Sequence, residues 1–425
     1  SQDFDRTKFD NAKLDKYFEA LEANNKFMGS VAVSQNGKII YTKSIGYANV
    51  ENKVKADDQT KYRIGSISKT FTTVLVLKAV EQKKLTLDQT IQKFFPDIKN
   101  AGTITLRNLL NHRSGIHNFT NDPNYLTWYT QPKTEKEVID LIVKGGNDFE
   151  PGSKFEYSNS NYVLLTYVLE KTFKKTYAQL LDEYITKPLS LTNTSVGKKI
   201  DPANHESSSY KFMGGWKLEP ETDMSIPVGA GAVVSTPGDL VKFSDALFTG
   251  KILKKESLDQ MMVMIDRYGM GLMQVPFYNE AGYGHGGNID SFSSMFSNFP
   301  DDSISYALTS NGSNFNNNNI SIVVLSAVYG KSFEIPEFKT YEVSPEELDK
   351  YLGIYSSPEF PLKITISKDN NTLKAQATGQ GAFALEATDK DKFKFDQAGV
   401  VLEFNTPEKT MLLKQAGRQF LLKME

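Results

Sequence analysis

Ser66 and Lys69 stand three positions apart at the head of an apolar run, Gly65-Ser66-Ile67-Ser68-Lys69-Thr70-Phe71 followed by Val74-Leu75-Val76-Leu77. A helix turns once in about 3.6 residues, so positions i and i+3 share a face and the amine lies beside the hydroxyl. A serine hydroxyl becomes a strong nucleophile when a neighbouring base takes its proton. A lysine desolvated by apolar walls is such a base. A serine at a helix start also lies among backbone N–H groups that the helix leaves without partners, and these can hold an oxyanion. The spacing alone does not decide the matter. Ser195/Lys198 and Ser208/Lys211 repeat it in polar, turn-like stretches. An N-cap serine followed by a solvated lysine has the same spelling. The apolar helix behind Ser66 sets that pair apart.

The remaining inventory narrows the chemistry. The 425 residues contain no cysteine and 4 histidines, His112, His117, His205 and His285. Disulfides, thiol catalysis and Cys-ligated zinc are therefore excluded. None of the histidines follows a Gly-x-Ser-x-Gly nucleophile elbow. His112 and His117 lack a clustered set of carboxylates, so no metal and no organic cofactor is expected. A net charge of −2 gives no electrostatic case for nucleic acid or an anionic membrane surface. Lys78 and Glu81 interrupt the strongest apolar run, which falls far short of the ~20 residues a membrane-spanning helix requires. The chain begins at Ser1 and shows no signal peptide; a processed exported protein, periplasmic or extracellular, is the expectation.

At this length two or three domains are expected. An amphipathic helix is predicted over 13–24. The runs 29–34 and 38–42, joined through Asn36-Gly37, predict a β-hairpin. A helix opens at Ser66. Further helices are predicted near 104–112, 134–145, 161–172, 176–185 and 237–248, and strands at 292–298 and 303–309. Tyr47-Ala48-Asn49 reads as a turn, and the Asn-rich run 311–319 as a surface loop. Beyond about residue 335 the pattern changes. Short alternating runs such as Lys363-Ile364-Thr365-Ile366-Ser367 and Lys392-Phe393-Lys394-Phe395 are separated by turns such as Gly379-Gln380-Gly381. Seven or eight such strands predict a small antiparallel barrel. The division expected is a first domain at 1–335, a linker at 336–345 and the barrel at 346–425.

Two further motifs follow Ser66-Ile67-Ser68-Lys69 in order: Tyr157-Ser158-Asn159 and His285-Gly286-Gly287. Together the three resemble the serine hydrolases that include class C β-lactamases, DD-carboxypeptidases of the penicillin-binding type, D-aminopeptidases and related esterases. Flanking text from 25 to 330 supports the likeness, including Leu109-Leu110-Asn111-His112-Arg113-Ser114-Gly115 and Gly229-Ala230-Gly231-Ala232. The segment Tyr351-Leu352-Gly353-Ile354-Tyr355 resembles the start of a lipocalin-like barrel appended to some members. The resemblance implies an α/β (α+β) fold: a β-lactamase/transpeptidase-like antiparallel sheet flanked by helices, a mainly helical region beside it, then the barrel. It implies Ser66, Lys69 and Tyr157 as catalytic residues. Ser66 is acylated, Lys69 helps take its proton, and Tyr157, its phenol pKa lowered by a neighbouring ammonium, serves as base and then acid. Asn159, His285, Gly286, Gly287 and Asn288 are implied at the substrate, with Asn159 orienting Lys69 and the N–H groups of Ser66 and Asn288 forming the oxyanion hole. His112 reads as structural, His117 and His205 as surface residues.

One departure bears on substrate choice. Many members carry Lys-Thr-Gly as the third motif, whereas His285 stands here, and an imidazole is mostly neutral at pH 7. A permanent cation for a free carboxylate is thus missing, which argues against efficient β-lactamase action. The expected substrate is a small peptide or amide, containing D-amino acids, as for a DD-carboxypeptidase or D-aminopeptidase. A small-ester hydrolase and a β-lactamase are the nearer alternatives, and a penicillin-binding sensor without turnover is the alternative of another kind.

Overall fold

The computed structural model describes residues 9–338 and 341–425. Two compact units emerge. One is built from Gly29–Ser208 and Pro220–Asn311; the other from the described part of Asp5–Met28 with Ser209–Glu219 and Gly312–Glu425. Residues 336–345 remain the proposed linker. Its Lys339 and Thr340, like residues 1–8 of the proposed first domain, lie outside the described residues.

The main sheet has six strands in the order Met273–Gln274, Tyr283–Ile289, Phe292–Phe299, Ile304–Ser313, Phe27–Gln35, Lys38–Ile45. The Asn36-Gly37 connection turns as its residues dictate. Both have positive φ, 51° and 77°, the type I′ geometry whose twist matches a hairpin. Phe292–Phe299 pairs antiparallel with strands on both sides, Ser294 facing Gly287 and Thr309.

The helix Ser68–Glu81 carries apolar or small side chains on every face, and all of Ser68 through Leu77 are buried. A helix without a wet face belongs inside a core. It shares that core with the helices Leu106–Leu110, Glu135–Gly145, Asn159–Phe173 and Pro237–Phe248. Phe71 stacks on Phe243 with ring centres 4.0 Å apart. The shorter helices begin where the sequence caps them: Thr105 with Asn108 and Thr134 with Glu137 each form a reciprocal capping box.

In the second unit eight strands, from Gly353–Ser357 to Arg418–Met424, close into a barrel by the pairing of Tyr355 with Met424. Alternate residues point inward, among them Tyr355, Ile364, Ile366, Phe393, Leu402, Met411 and Leu422, giving this unit its own apolar core. The chain thus has the mixed α/β architecture expected. Three local readings need correction. Tyr47–Asn49 is a strand, paired with Val54–Lys55. The Asn-rich run is not one loop: its start completes the strand ending at Ser313, and Asn316 caps the helix Asn317–Val328 by accepting from the Asn318 N–H. Asparagine favours both caps and turns, so its run does not distinguish them. Gly353–Ser357 is the barrel strand that the alternation did not mark.

Candidate active site

Ser66 lies in a single 3₁₀ turn, Gly65–Ile67, that leads into the helix Ser68–Glu81. The Lys69 side chain is fully buried, and its Nζ stands 2.7 Å from Ser66 Oγ, 2.8 Å from Asn159 Oδ1 and 2.8 Å from the Ala230 carbonyl oxygen. Burial drives the Lys69 pKa well below the ordinary lysine value. A neutral amine has two N–H donors and one lone pair. Asn159 Oδ1 and Ala230 O take the donors, which leaves the lone pair facing the Ser66 hydroxyl.

Each partner of Lys69 is held by its own element. Asn159 is the first residue of the helix Asn159–Phe173, and its Nδ2 donates to Thr120 Oγ1 at 3.2 Å, which fixes the amide with its oxygen toward Lys69. Ala230 follows Gly229, packed where a Cβ would meet Thr166 Oγ1 at 2.3 Å and Thr72 Oγ1 at 2.6 Å. Thr72 donates to the Gly229 carbonyl at 2.6 Å, and the Gly229 N–H donates to Thr166 at 3.0 Å. Two helices therefore clamp the backbone that presents the Ala230 carbonyl. Val228, just before, has φ 39°, a strained value for a β-branched residue.

Tyr157 reaches the same point from the turn before Asn159. Its ring lies 4.8 Å from Lys69 Nζ, and its hydroxyl faces Ser66. The resemblance implied a phenol made more acidic by an ammonium. The opposite holds: burial pushes the Tyr157 phenol up, and the facing Ser66 hydroxyl only partly offsets this. The physical reason is shared with Lys69. Burial that favours the neutral amine removes the ammonium that would have stabilised a phenolate.

His285 lies on the strand Tyr283–Ile289 and is buried. Its Nδ1 is 2.6 Å from the Gly286 carbonyl oxygen and its Nε2 2.9 Å from Tyr268 Oη. The carbonyl only accepts, so Nδ1 carries the proton and Nε2 accepts from Tyr268. Burial, with the nearby Lys69, pulls the His285 pKa down to about 3, so the ring is neutral at pH 7. The site places this ring against Tyr157 and Tyr268, with centres 6.2 and 5.7 Å away, and commits both its nitrogens within the protein.

His112 sits closer to Tyr157 than its sequence context indicated. Its ring centre is 4.3 Å from that of Tyr157. Its Nδ1 receives the Ser158 N–H at 3.1 Å and lies 3.0 Å from Asn161 Nδ2. Tyr268 completes the aromatic wall, 4.8 Å from His112 and 6.1 Å from Tyr157. Tyr268 escaped the sequence reading. Its one signal is an aromatic residue in the Gly-rich stretch Tyr268-Gly269-Met270-Gly271. His117 pairs with Asp148 at 3.0 Å away from this cluster.

The third motif passes beside the Ser66 turn. Beyond Gly284 the strand Tyr283–Ile289 has outrun its short neighbour, and the Gly65–Ile67 turn packs against it instead. A Cβ on Gly287 would stand 2.0 Å from the Ile64 carbonyl oxygen and 2.8 Å from Ser66 N; one on Gly65, where φ is 53°, would stand 3.0 Å from Asn288 N. These glycines let the backbone of Asn288 approach that of Ser66. Gly286 is less tightly enclosed, the first contact of its Cβ being the Met295 methyl at 3.3 Å.

A mixed sheet-and-helix fold that buries a neutral lysine against a serine hydroxyl defines a class, the serine hydrolases that work without a histidine base. The beta-lactamase family model matches residues 14–327, and the chain belongs to that family. It is similar along nearly its whole length to penicillin-binding protein 4* of Bacillus subtilis, with 24% identity over 96% of this chain and 97% of the relative. Among solved structures it is similar to D-amino acid amidase from Ochrobactrum anthropi SV3 complexed with D-phenylalanine, at TM-score 0.66 and 27% identity over 74% of this chain and 99% of that one. The octameric penicillin-binding protein homologue from Pyrococcus abyssi shares the fold over 97% of this chain and 100% of its own, at TM-score 0.66 and 24% identity. No helix among the described residues is long and apolar enough to cross a membrane.

Proposed function

We propose that this chain hydrolyses small amides and peptides of D-amino acids through an acyl intermediate on Ser66. The observation that carries the reading is the threefold engagement of Lys69 Nζ by Ser66 Oγ, Asn159 Oδ1 and the Ala230 carbonyl. It leaves a neutral amine one use, to accept the Ser66 proton. As Oγ attacks the substrate carbonyl carbon, Lys69 becomes an ammonium and the carbonyl electron pair moves to oxygen. The N–H groups of Ser66 and Asn288 hold that oxyanion. Collapse breaks the C–N bond. Tyr157 gives its proton to the departing amine and regains one from Lys69, so both end neutral. Water then attacks the acyl group, its proton passes to the Tyr157–Lys69 pair, and Ser66 leaves as the hydroxyl.

The leaving side of the substrate passes along the third motif. His285 is neutral there and spends both nitrogens on Gly286 and Tyr268. This favours substrates whose leaving portion is uncharged, amides and esters, over peptides or β-lactams with a free carboxylate at that point. The likeness to a D-amino acid amidase supports the D-configuration. D-amino acid peptides of the cell wall would place the reaction outside the cytoplasmic membrane. The same acyl chemistry serves small esters, whose alcohol leaves more readily than an amine.

The test is steady-state turnover of D- and L-phenylalaninamide, D-alanyl p-nitroanilide, a p-nitrophenyl ester and a penicillin. Hydrolysis of the D-amides that vanishes in Ser66→Ala is expected, with the penicillin consumed slowly or not at all. A folded wild type inert across the panel would overturn the reading in favour of a binding protein.

A further inference from the structure

We propose that Arg63, Thr222 and Asp290 form a buried latch that sets the spacing of the oxyanion hole, acting as positioning residues for the reaction at Ser66. The inference rests on the reading that the Ser66 and Asn288 N–H groups hold the oxyanion. Those two groups come from different elements. Ser66 follows the short strand Tyr62–Arg63 by three positions, and Asn288 precedes Asp290 by two. The latch joins the two elements at those points.

Thr222 is gripped from both sides. Its Oγ1 donates to Asp290 Oδ1 at 2.7 Å, and its N–H lies 3.1 Å from Oδ2 and 3.2 Å from Oδ1. Its carbonyl oxygen accepts from Arg63 Nη1 at 2.9 Å. The same Nη1 stands 3.6 Å from Asp290 Oδ2, and both side chains are only 3% exposed. Arg63 Nη2 donates to the Lys198 carbonyl at 2.8 Å and to Glu221 Oε1 at 3.0 Å, which orients the guanidinium plane. Asp290 has φ 53°, a left-handed value that aspartate tolerates, and the chain turns there out of the Tyr283–Ile289 strand.

Nearer the site a second tie holds the Ser66 side to the neighbouring strand Phe292–Phe299, whose Ser294 pairs with Gly287, Ser294 Oγ donating to the Ile64 carbonyl at 2.8 Å. The glycine contacts leave no slack between the ties, since neither Gly65 nor Gly287 has room for a Cβ. An oxyanion donor works within about 2.7–3.1 Å of the oxygen that develops in the transition state. A latch that slips by a fraction of an ångström therefore weakens transition-state binding and leaves ground-state binding in place. Charged partners suit such a latch. Once buried, each group is costly to leave without the other, so the geometry has few alternatives.

The experiment compares wild type with Asp290→Asn, which keeps an acceptor for Thr222 but removes the charge facing Arg63, and Thr222→Val, which keeps shape but removes the hydroxyl. Two quantities are read: kcat and KM on D-alanyl p-nitroanilide, and inhibition by phenylboronic acid, whose tetrahedral adduct on Ser66 places an oxygen in the hole. Loss of one oxyanion donor costs about 10²–10³ in kcat, and a misplaced pair is expected to cost about tenfold or more. KM should stay within about twofold, and boronate affinity should fall in step with kcat. Active variants with wild-type kcat would overturn the latch while leaving the Ser66 reading intact. So would a fall in kcat with unchanged boronate affinity, the mark of a merely structural role. A wild type that neither turns over substrate nor forms the boronate adduct would overturn the Ser66 reading and the latch with it. If Asp290→Asn does not fold, Thr222→Val decides by the same criteria.

Discussion

At the scale of single residues, burial would do in the proposed mechanism the work that a histidine base does in other serine hydrolases. Lys69 and Tyr157 are both pushed toward their neutral forms. The sign of the pH dependence follows. In the proposed mechanism the active amine is the deprotonated one, so kcat/KM should fall on the acid side as Lys69 takes a proton, at a pH well below the ordinary lysine value of about 10.4. On the alkaline side the rate should not rise through pH ~10, where an ordinary tyrosine ionises, because Tyr157 is proposed to act with its proton on and burial makes it hold that proton more tightly. A pH–rate profile checks both limbs, and a rate that climbs with phenolate formation would contradict the assignment. The Ser66–Lys69 pair was legible in the sequence because helical spacing fixes which side chains meet. The direction of the Tyr157 shift was not, since it depends on how deeply neighbours enclose the ring. Tyr268 and His112 were missed as neighbours of Tyr157 for the same reason: three loops distant in sequence bring them together, and no periodicity records that.

At the scale of elements, the helix Ser68–Glu81 is the reference to which the others attach. Gly271 shows how tightly. Its φ is 63°, and a Cβ there would lie 2.3 Å from Thr73 Oγ1 and 2.8 Å from the Lys69 carbonyl oxygen, while Thr70 Oγ1 donates to the Gly271 carbonyl at 2.7 Å. Gly271→Ala should therefore destabilise the protein by about 1–3 kcal/mol, from overpacking and a strained φ. It should also lower kcat, because the loop it anchors carries Tyr268. Denaturant unfolding measures the first effect and steady-state kinetics the second; unchanged stability would mean the loop is free to yield. Most elements were legible from hydrophobic period and caps, as with Thr134 and Glu137 opening the helix Glu135–Gly145. The exceptions share a cause. Tyr47–Asn49 and Gly353–Ser357 are strands too short for alternation to show, so their identity is set by pairing with the strands that follow them, Val54–Lys55 and Phe360–Asp369, and not by their own pattern.

At the scale of the whole molecule, separate hydrophobic cores form along the chain. One gathers on the helix Ser68–Glu81, and another fills the barrel. The alternating runs after residue 345 announced the barrel, while the contributions of the described part of Asp5–Met28 and of Ser209–Glu219 to the second unit left no mark in composition. Separate cores predict separate cooperative units, so scanning calorimetry should resolve more than one transition. A single transition with equal calorimetric and van't Hoff enthalpies would show that the units unfold as one. The account as a whole stands on Ser66 as the atom that is acylated in a site open to D-amino acid amides. The most direct measurement is the intact mass of wild type and Ser66→Ala after an alkyl fluorophosphonate, with peptide mapping, in the presence and absence of D-phenylalaninamide. The account predicts one adduct, on Ser66, absent from the variant and slowed by the amide. A folded wild type that takes no adduct, or takes it elsewhere, would contradict it.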